Sequence, residues 1–374
     1  MKFVLAPDSY KGSLTAKQAC DAMEIGIRRV IPQAEIIKVP MADGGEGTVQ
    51  SVVDAMNGRI VRCEVMNPIG ETVTAQYGIL GDNQTAVIEM AEASGLYLIS
   101  EMQRNPLTTT TYGTGQLVMD ALNKGCRQFV IGLGGSATND GGAGMMQALG
   151  AMLLDRSGNS IAFGGEGLGE LDRIDLSTLD PRVKESRFTA ACDVDNPLTG
   201  PSGASEVFGR QKGASAEMIK LLDQNLEHLA SVISRDLKVE VDAIPGAGAA
   251  GGLGAGLVAF LEAKLSRGIE IVKEIVQFES LISGADFVFS GEGRCDFQTE
   301  RGKTPYGVAK AAQKYNIPVI LIAGSIGPGV EVLYQHGVKS IFSMMDGPMS
   351  VEQAMQHADQ LLANAAERVV RLLQ

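Results

Sequence analysis

The chain has 374 residues, of which 45% are hydrophobic and 20% charged, so it can bury real cores and is not a disordered polymer. Its net charge of −12 and the lack of any basic run argue against a nucleic-acid binder. The 46 glycines exceed the usual share of roughly 7% and are clustered, as in enzymes that wrap backbone around small ligands.

At roughly 150 residues per domain, two domains are expected. In chain order, residues 2–6 read as a first strand, and the capping box Thr15-Ala16-Lys17-Gln18 starts a helix reaching about Val30. Residues 35–39 read as a second strand. Asp43-Gly44-Gly45-Glu46-Gly47-Thr48 then opens another helix. This alternation is the rhythm of a parallel sheet. Residues 59–65, 73–80 and 85–90 read as strands joined by short turns, which predicts antiparallel pairing. Residues 128–132 form a strand before a glycine loop and a helix, and long loops are expected across 157–212. The uncharged stretch Ile244 to Leu261 holds Pro245 and six glycines, and reads as a loop feeding a short buried helix rather than a membrane span. Strands follow at 286–290, 319–323 and 339–343, with a helix over 306–315 between the first two. A last helix begins at the capping box Ser350-Val351-Glu352-Gln353, with Met355, Ala358, Leu362, Ala365, Val369 and Leu372 at helical spacing.

The expected fold class is therefore α/β with two α/β domains. Residues 1–70 with 285–374 make a discontinuous parallel domain, and 71–284 an inserted domain with a mixed sheet. The five cysteines are scattered without metal-ligand spacing, which predicts reduced thiols. The N-terminal apolar run is too short for a signal peptide and ends in Asp8, so a cytoplasmic protein is expected.

Five loops carry candidate chemistry. Asp8-Ser9-Tyr10-Lys11-Gly12-Ser13 follows the first strand, where parallel sheets bind ligands. There Lys11 suits a phosphate or carboxylate, and Asp8 a metal or the orienting of that lysine, although a capping turn with a solvated lysine explains the same residues. In the second loop Asp43 and Glu46 stand three apart among glycines and can approach a metal or hydroxyl. The third, Gly132-Leu133-Gly134-Gly135-Ser136-Ala137-Thr138-Asn139-Asp140-Gly141-Gly142-Ala143-Gly144, leaves a strand and opens a helix, an arrangement that cradles anions. Its start also satisfies G-x-G-x-x-A, with Asp155 as the acidic partner of a dinucleotide fingerprint. The fourth, Ala191-Cys192-Asp193-Val194-Asp195-Asn196-Pro197-Leu198, offers Asp193 and Asp195 to a metal or as a base, or an Asx-turn before Pro197. The fifth is Gly291-Glu292-Gly293-Arg294-Cys295-Asp296. Gly302-Lys303-Thr304 after it imitates a P-loop, but Phe297 occupies the first required glycine position. The three histidines fall outside these loops, and no G-x-S-x-G is present.

Taken together, Ala6-Pro7-Asp8-Ser9-Tyr10-Lys11-Gly12, Met41-Ala42-Asp43-Gly44-Gly45-Glu46-Gly47-Thr48, the loop from Gly132 to Gly142, Cys192-Asp193-Val194-Asp195-Asn196-Pro197-Leu198, Gln211-Lys212-Gly213-Ala214 and Gly291-Glu292-Gly293-Arg294 resemble the bacterial glycerate kinase family of the first class. The resemblance spans essentially the whole chain. It implies two α/β domains, one of them flavodoxin-like, and phosphorylation of D-glycerate by ATP and Mg²⁺, mainly to 2-phosphoglycerate. Phosphoryl transfer needs positioned phosphates, neutralised charge and an oriented hydroxyl. The phosphate cradle is accordingly assigned to Gly134, Gly135, Ser136, Asn139, Asp140, Gly141 and Gly142, with Asp193, Lys11 and Arg294 as catalytic groups. Asp8, Ser9, Lys11, Asp43, Thr111 and Gly113 are expected at the substrate, and Asp193 with Asp43 or Glu292 at the metal. The motifs divide between the two expected domains, which predicts an active site in the cleft between them. A homo-oligomer stays open. Two rivals are a nicotinamide-dependent dehydrogenase of a small hydroxy acid, using Gly132, Gly134, Ala137 and Asp155, and a non-catalytic sugar-acid sensor.

Overall fold

The computed structural model describes residues 1–45 and 47–374. The chain divides into two compact units. The first comprises Met1–Asp43, Gln50–Asn57 and Arg267–Gln374, and the second Gly44–Val49 and Gly58–Ser266.

The first unit is built on a five-stranded sheet. Its order is Val338–Ser343, Val319–Ala323, Phe287–Ser290, Lys2–Leu5, Glu35–Lys38, and every pairing is parallel. Val319–Ala323 is buried along its whole length, which is why it reads VILIA: a parallel strand covered on both faces has no solvent side to make polar. Phe3 packs edge-on to Phe289 at 5.7 Å between ring centres. The helix Ala16–Arg28 begins at the expected capping box. Thr15 accepts from the Gln18 N–H at 3.2 Å and donates its own N–H to the Gln18 side chain at 2.9 Å. The predicted C-terminal helix is two helices, Val351–Gln356 and Ala358–Leu372, because His357 leaves helical geometry at φ −112°. The buried face of the longer one holds Leu361, Leu362, Ala365, Ala366, Val369 and Val370, whereas Leu372 is exposed.

The second unit carries a mixed six-stranded sheet. Its order is Lys264–Ser266, Arg187–Ala191, Gln128–Gly132, Thr85–Glu89, Thr72–Ile79, Arg59–Met66. The last three pair antiparallel in chain order, as their short turns predict, and the rest pair parallel. Two boundaries move from their sequence positions at 70 and 285. Arg59–Met66 pairs with Thr72–Ile79 along its whole length and so belongs to the second unit. Residues 268–282 belong to the first, where Ile269 packs on Gly307 and Glu279 binds Lys314 at 2.6 Å.

The stretch 157–212 is not the run of loops the sequence suggests. It contains Arg187–Ala191, an interior strand of the second sheet. The helix Ala216–Leu237, absent from the sequence reading, follows a capping serine at Ser215. The glycine-rich segment does feed a buried helix, ending at Leu261. Among the described residues no helix is long and apolar enough to cross a membrane. All five cysteines are free thiols.

Candidate functional site

In the first unit, three loops leave the carboxyl ends of neighbouring parallel strands and are stitched together by backbone hydrogen bonds. The Ala6 N–H donates to the Phe289 carbonyl at 2.7 Å and the Asp8 N–H to that of Gly291 at 2.9 Å. The buried Tyr10 hydroxyl donates to the Ile322 carbonyl at 2.5 Å. A cavity of 480 Å³ opens there. Asp8, Ser9, Lys11, Asp43, Glu292 and Arg294 all line it, and Met344, Met345, Met349 and Met355 form an apolar wall. Six residues proposed from sequence, more than 280 positions apart at the extremes, thus reach one recess.

The electrostatics of this recess are acidic underneath and basic at the rim. The Asp8 carboxylate accepts from the Ser9 N–H at 2.6 Å and the Thr304 hydroxyl at 2.5 Å. Burial and the neighbouring Asp43 charge nevertheless raise its pKa to about 7. Glu292 is also raised by burial, with Lys303 pulling the other way. Both of its oxygens are engaged, by Thr299 at 2.8 Å and Lys303 at 3.3 Å. Arg294 donates to Asp296 at 3.0 Å but keeps most of its side chain in solvent.

In the second unit, the loops after Gln128–Gly132 and Arg187–Ala191 border a cavity of 230 Å³. Its lining includes Gly134, Gly135, Ser136, Asp193, Lys212 and Ala250. Gly135 sits at φ +74°, where a side chain is disfavoured, while a Cβ on Gly134 would meet nothing within 4 Å. Lys212 is only 1% exposed. Its ammonium donates to the Ser136 hydroxyl at 2.8 Å and the Thr138 carbonyl at 2.7 Å. Burial lowers its pKa to about 7, against the pull of Asp140.

The rest of the proposed cradle turns inward. Asp140 is fully buried, and burial raises its pKa although four donors point at it. These are the Thr111 N–H and hydroxyl at 2.8 Å each, the Gly142 N–H at 3.1 Å and the Gly144 N–H at 3.3 Å. Asn139 is buried and accepts from Ser205. A Cβ on Gly141 would strike Leu229 at 2.1 Å, and one on Gly142 would come within 3.0 Å of Leu253. Asn139, Asp140, Gly141 and Gly142 therefore lock the loop onto the core and do not line the cavity. Thr111 belongs to the same lock, and Gly113 is pressed against the Met66 carbonyl, so neither lines a cavity described above. Of the three residues expected at the metal, Asp43 and Glu292 line the first cavity and Asp193 the second. Among the described residues no group of three or more His, Cys, Asp or Glu is arranged to hold a metal ion. Glu46, read with Asp43 as a carboxylate pair, lies outside the described residues.

The sequence profile of the glycerate kinase family matches residues 3–374. The chain belongs to the glycerate kinase family. It is 56% identical over 366 residues to a glycerate kinase of Halalkalibacterium halodurans, covering 98% of this chain and 96% of the relative. It is 50% identical over 373 residues to the glycerate 2-kinase of Escherichia coli, covering 100% of this chain and 98% of that one. The crystal structure of a Salmonella typhimurium LT2 protein described as glycerate kinase 2 superposes with a TM-score of 0.93 at 51% identity, covering 100% of this chain and 98% of that one.

Against this family background, the dinucleotide reading loses its acidic partner. Asp155 accepts from the Ser157 and Asn159 N–H groups at 2.8 and 2.9 Å and closes its own turn. The residue that sequence reasoning passed over is Lys212. Gln211-Lys212-Gly213-Ala214 is one of the strings that carry the resemblance drawn from the sequence, but nothing in it says that the lysine folds inward under the glycine loop.

Proposed function

We propose that this chain transfers the γ-phosphoryl group of ATP to the 2-hydroxyl of D-glycerate, releasing ADP and 2-phosphoglycerate. The observation that carries this reading is the 50% identity, across the whole chain, to the Escherichia coli glycerate 2-kinase. The strand order of the first unit, 2-1-3-4-5 when its strands are numbered along the chain, supports reading it as flavodoxin-like. In such sheets ligands bind where the order reverses, here between Lys2–Leu5 and Phe287–Ser290.

In this reading Lys11 and Arg294 neutralise the substrate carboxylate or a phosphate, and Asp8, Ser9 and Asp43 fix the acceptor. The Gly134-Gly135-Ser136 segment cradles the triphosphate through backbone N–H groups. Asp193 orients the hydroxyl. As its oxygen bonds to the γ-phosphorus and the bond to ADP breaks, the hydroxyl proton passes to the Asp193 carboxylate. Magnesium, which keeps several waters and takes few protein carboxylates, would spread the developing phosphate charge. The carboxylates offered to it are Asp193 with Asp43 or Glu292, and the Glu292 oxygens also accept from Thr299 and Lys303. The chain is read as acting in the cytoplasm.

The test is a coupled ADP-release assay with ATP, Mg²⁺ and D-glycerate, with the product's phosphorus spectrum distinguishing 2- from 3-phosphoglycerate. A parallel NAD-reduction assay covers the dehydrogenase rival. ADP release that ignores D-glycerate, or NAD reduction in its presence, overturns the proposal.

A further inference from the structure

Lys212 is a lysine where lysines are seldom found. It is buried to 1% exposure, and among the described residues it forms no ion pair. Its two acceptors, the Ser136 hydroxyl and the Thr138 carbonyl, are both neutral. An ammonium has three donors, so one remains, in a side chain that lines the 230 Å³ cavity. Burying a cation without a counter-charge is strongly unfavourable.

Asp140 relieves this only in part, because burial outweighs its pull on the lysine. Asp140 acts on it electrostatically, but its carboxylate is already occupied by Thr111, Gly142 and Gly144. Arg104 donates to the carbonyl of Gln211 at 3.4 Å. Cys192 and Asp193 line the same cavity. A second, independent feature is backbone strain. Ala250, also on the cavity, sits at φ +53°, and Gly251 and Gly252 follow at +69° and +88°. Left-handed backbone at a residue with a side chain persists only where the surroundings enforce it, commonly around ligands.

We infer that Lys212 is the cation of an internal anion site, and that its ligand is the terminal phosphate of a nucleoside triphosphate, gripped together with Ser136 and the backbone of Gly134 and Gly135. The inference rests on the kinase reading and names one of its binding residues. A terminal phosphate brings the negative charge that burial otherwise denies the lysine. Burial lowers the lysine's pKa to about 7, so the free protein at pH 8 holds it mostly neutral. Binding the anion then draws a proton onto it from solvent. Asp140 and Thr111 hold the loop that presents Ser136, which makes them positioning residues.

The experiment is titration calorimetry of the full chain with MgATP and, separately, with D-glycerate. Each is run in buffers of low and high ionisation enthalpy, at pH 6 and pH 8. MgATP should bind at pH 8 with uptake approaching ~0.9 proton per site and at pH 6 with almost none. Lys212→Met should abolish the uptake and weaken MgATP by at least ~10-fold. Where Lys212→Met does not fold, Ser136→Ala keeps the lysine but removes an acceptor of its charged form, and the pH at which uptake sets in should move down. No uptake in the parent, uptake unchanged in Lys212→Met, or uptake on D-glycerate instead of MgATP each overturns the inference. If the parent still phosphorylates D-glycerate, only the lysine assignment falls. If it does not, the kinase reading itself has failed.

Discussion

Gly134 and Gly135 are neighbours that answer differently to an added side chain. A Cβ on Gly134 enters open space, whereas Gly135 sits at φ +74° with Ala91 3.3 Å from where its Cβ would be. Gly134→Ala should therefore keep its melting temperature and lose ATP affinity, because the methyl enters the cavity where backbone must approach phosphate. Gly135→Val should lose both, since left-handed backbone costs a side-chain-bearing residue roughly 1–2 kcal/mol. Paired calorimetric and thermal-melt measurements check this, and unchanged ATP binding by Gly134→Ala removes the cradle from this loop. Asp8 offers a second test. Its folded pKa of about 7 lies above its ordinary value of 3.8, so the unfolded chain releases this proton first. The stability this group contributes is complete below pH 3.8 and is lost as pH rises through about 7. Asp8→Asn should flatten the fall in stability between those pH values and melt higher than the parent at pH 8. Parallel pH profiles of the melting temperature decide it.

At the scale of elements, Asp140 ties three pieces of chain together: the loop before Tyr112–Asn123, the glycine turn, and the start of Ala143–Ala148. Asp140→Ala leaves buried N–H groups without acceptors. Each such loss costs about 1–3 kcal/mol, so a total above ~3 kcal/mol is expected in urea denaturation. A change below ~1 kcal/mol would mean that the lock is not structural. This lock also shows what the sequence made legible. Strand-end loops, capping boxes at Thr15 and Ser350, and the wholly apolar Val319–Ala323 carry their signals locally, and each lies where the sequence puts it. Which half of the glycine loop faces a ligand is not local. It depends on Leu229 and Leu253, which fill the space around Gly141 and Gly142 from helices over 70 positions away. Residues 216–237 did carry a readable pattern, with Ser215 as cap and Ile219, Leu222, Leu226, Leu229 and Ile233 at helical spacing. Arg187–Ala191 did not, because five residues with an exposed arginine and two alanines resemble a loop until flanking strands pair with them. Lys212 stayed hidden because lysines are rarely buried, and composition gives no hint of the exception.

For the whole molecule, the proposed reaction assigns the nucleotide and the acceptor to loops that come from both units. Asp193→Asn keeps shape and removes charge, so it should still bind ATP but lose at least ~100-fold in kcat. Steady-state kinetics beside direct ATP-binding measurements check the split. Near-parental kcat passes the orienting role to Asp43.

The same division of the chain has a consequence for its biosynthesis. Every strand of the second sheet lies between residues 59 and 266, so that sheet has all its strands once residue 266 has left the ribosome. Lys2–Leu5, translated first, soon has Glu35–Lys38 beside it, but its other neighbour comes only when Phe287–Ser290 appears, with Phe3 opposite Phe287 and Val4 opposite Val288. At about 5–20 residues per second, that is a wait of roughly 15–60 s. During it an apolar strand and the amphipathic helix behind it lack most of their final cover, which is when a nascent chain most needs a chaperone. A ribosome that stops before residue 287 leaves a chain that has made every strand of its second sheet but whose Asp8–Lys11 loop still lacks the Gly291 carbonyl that holds it.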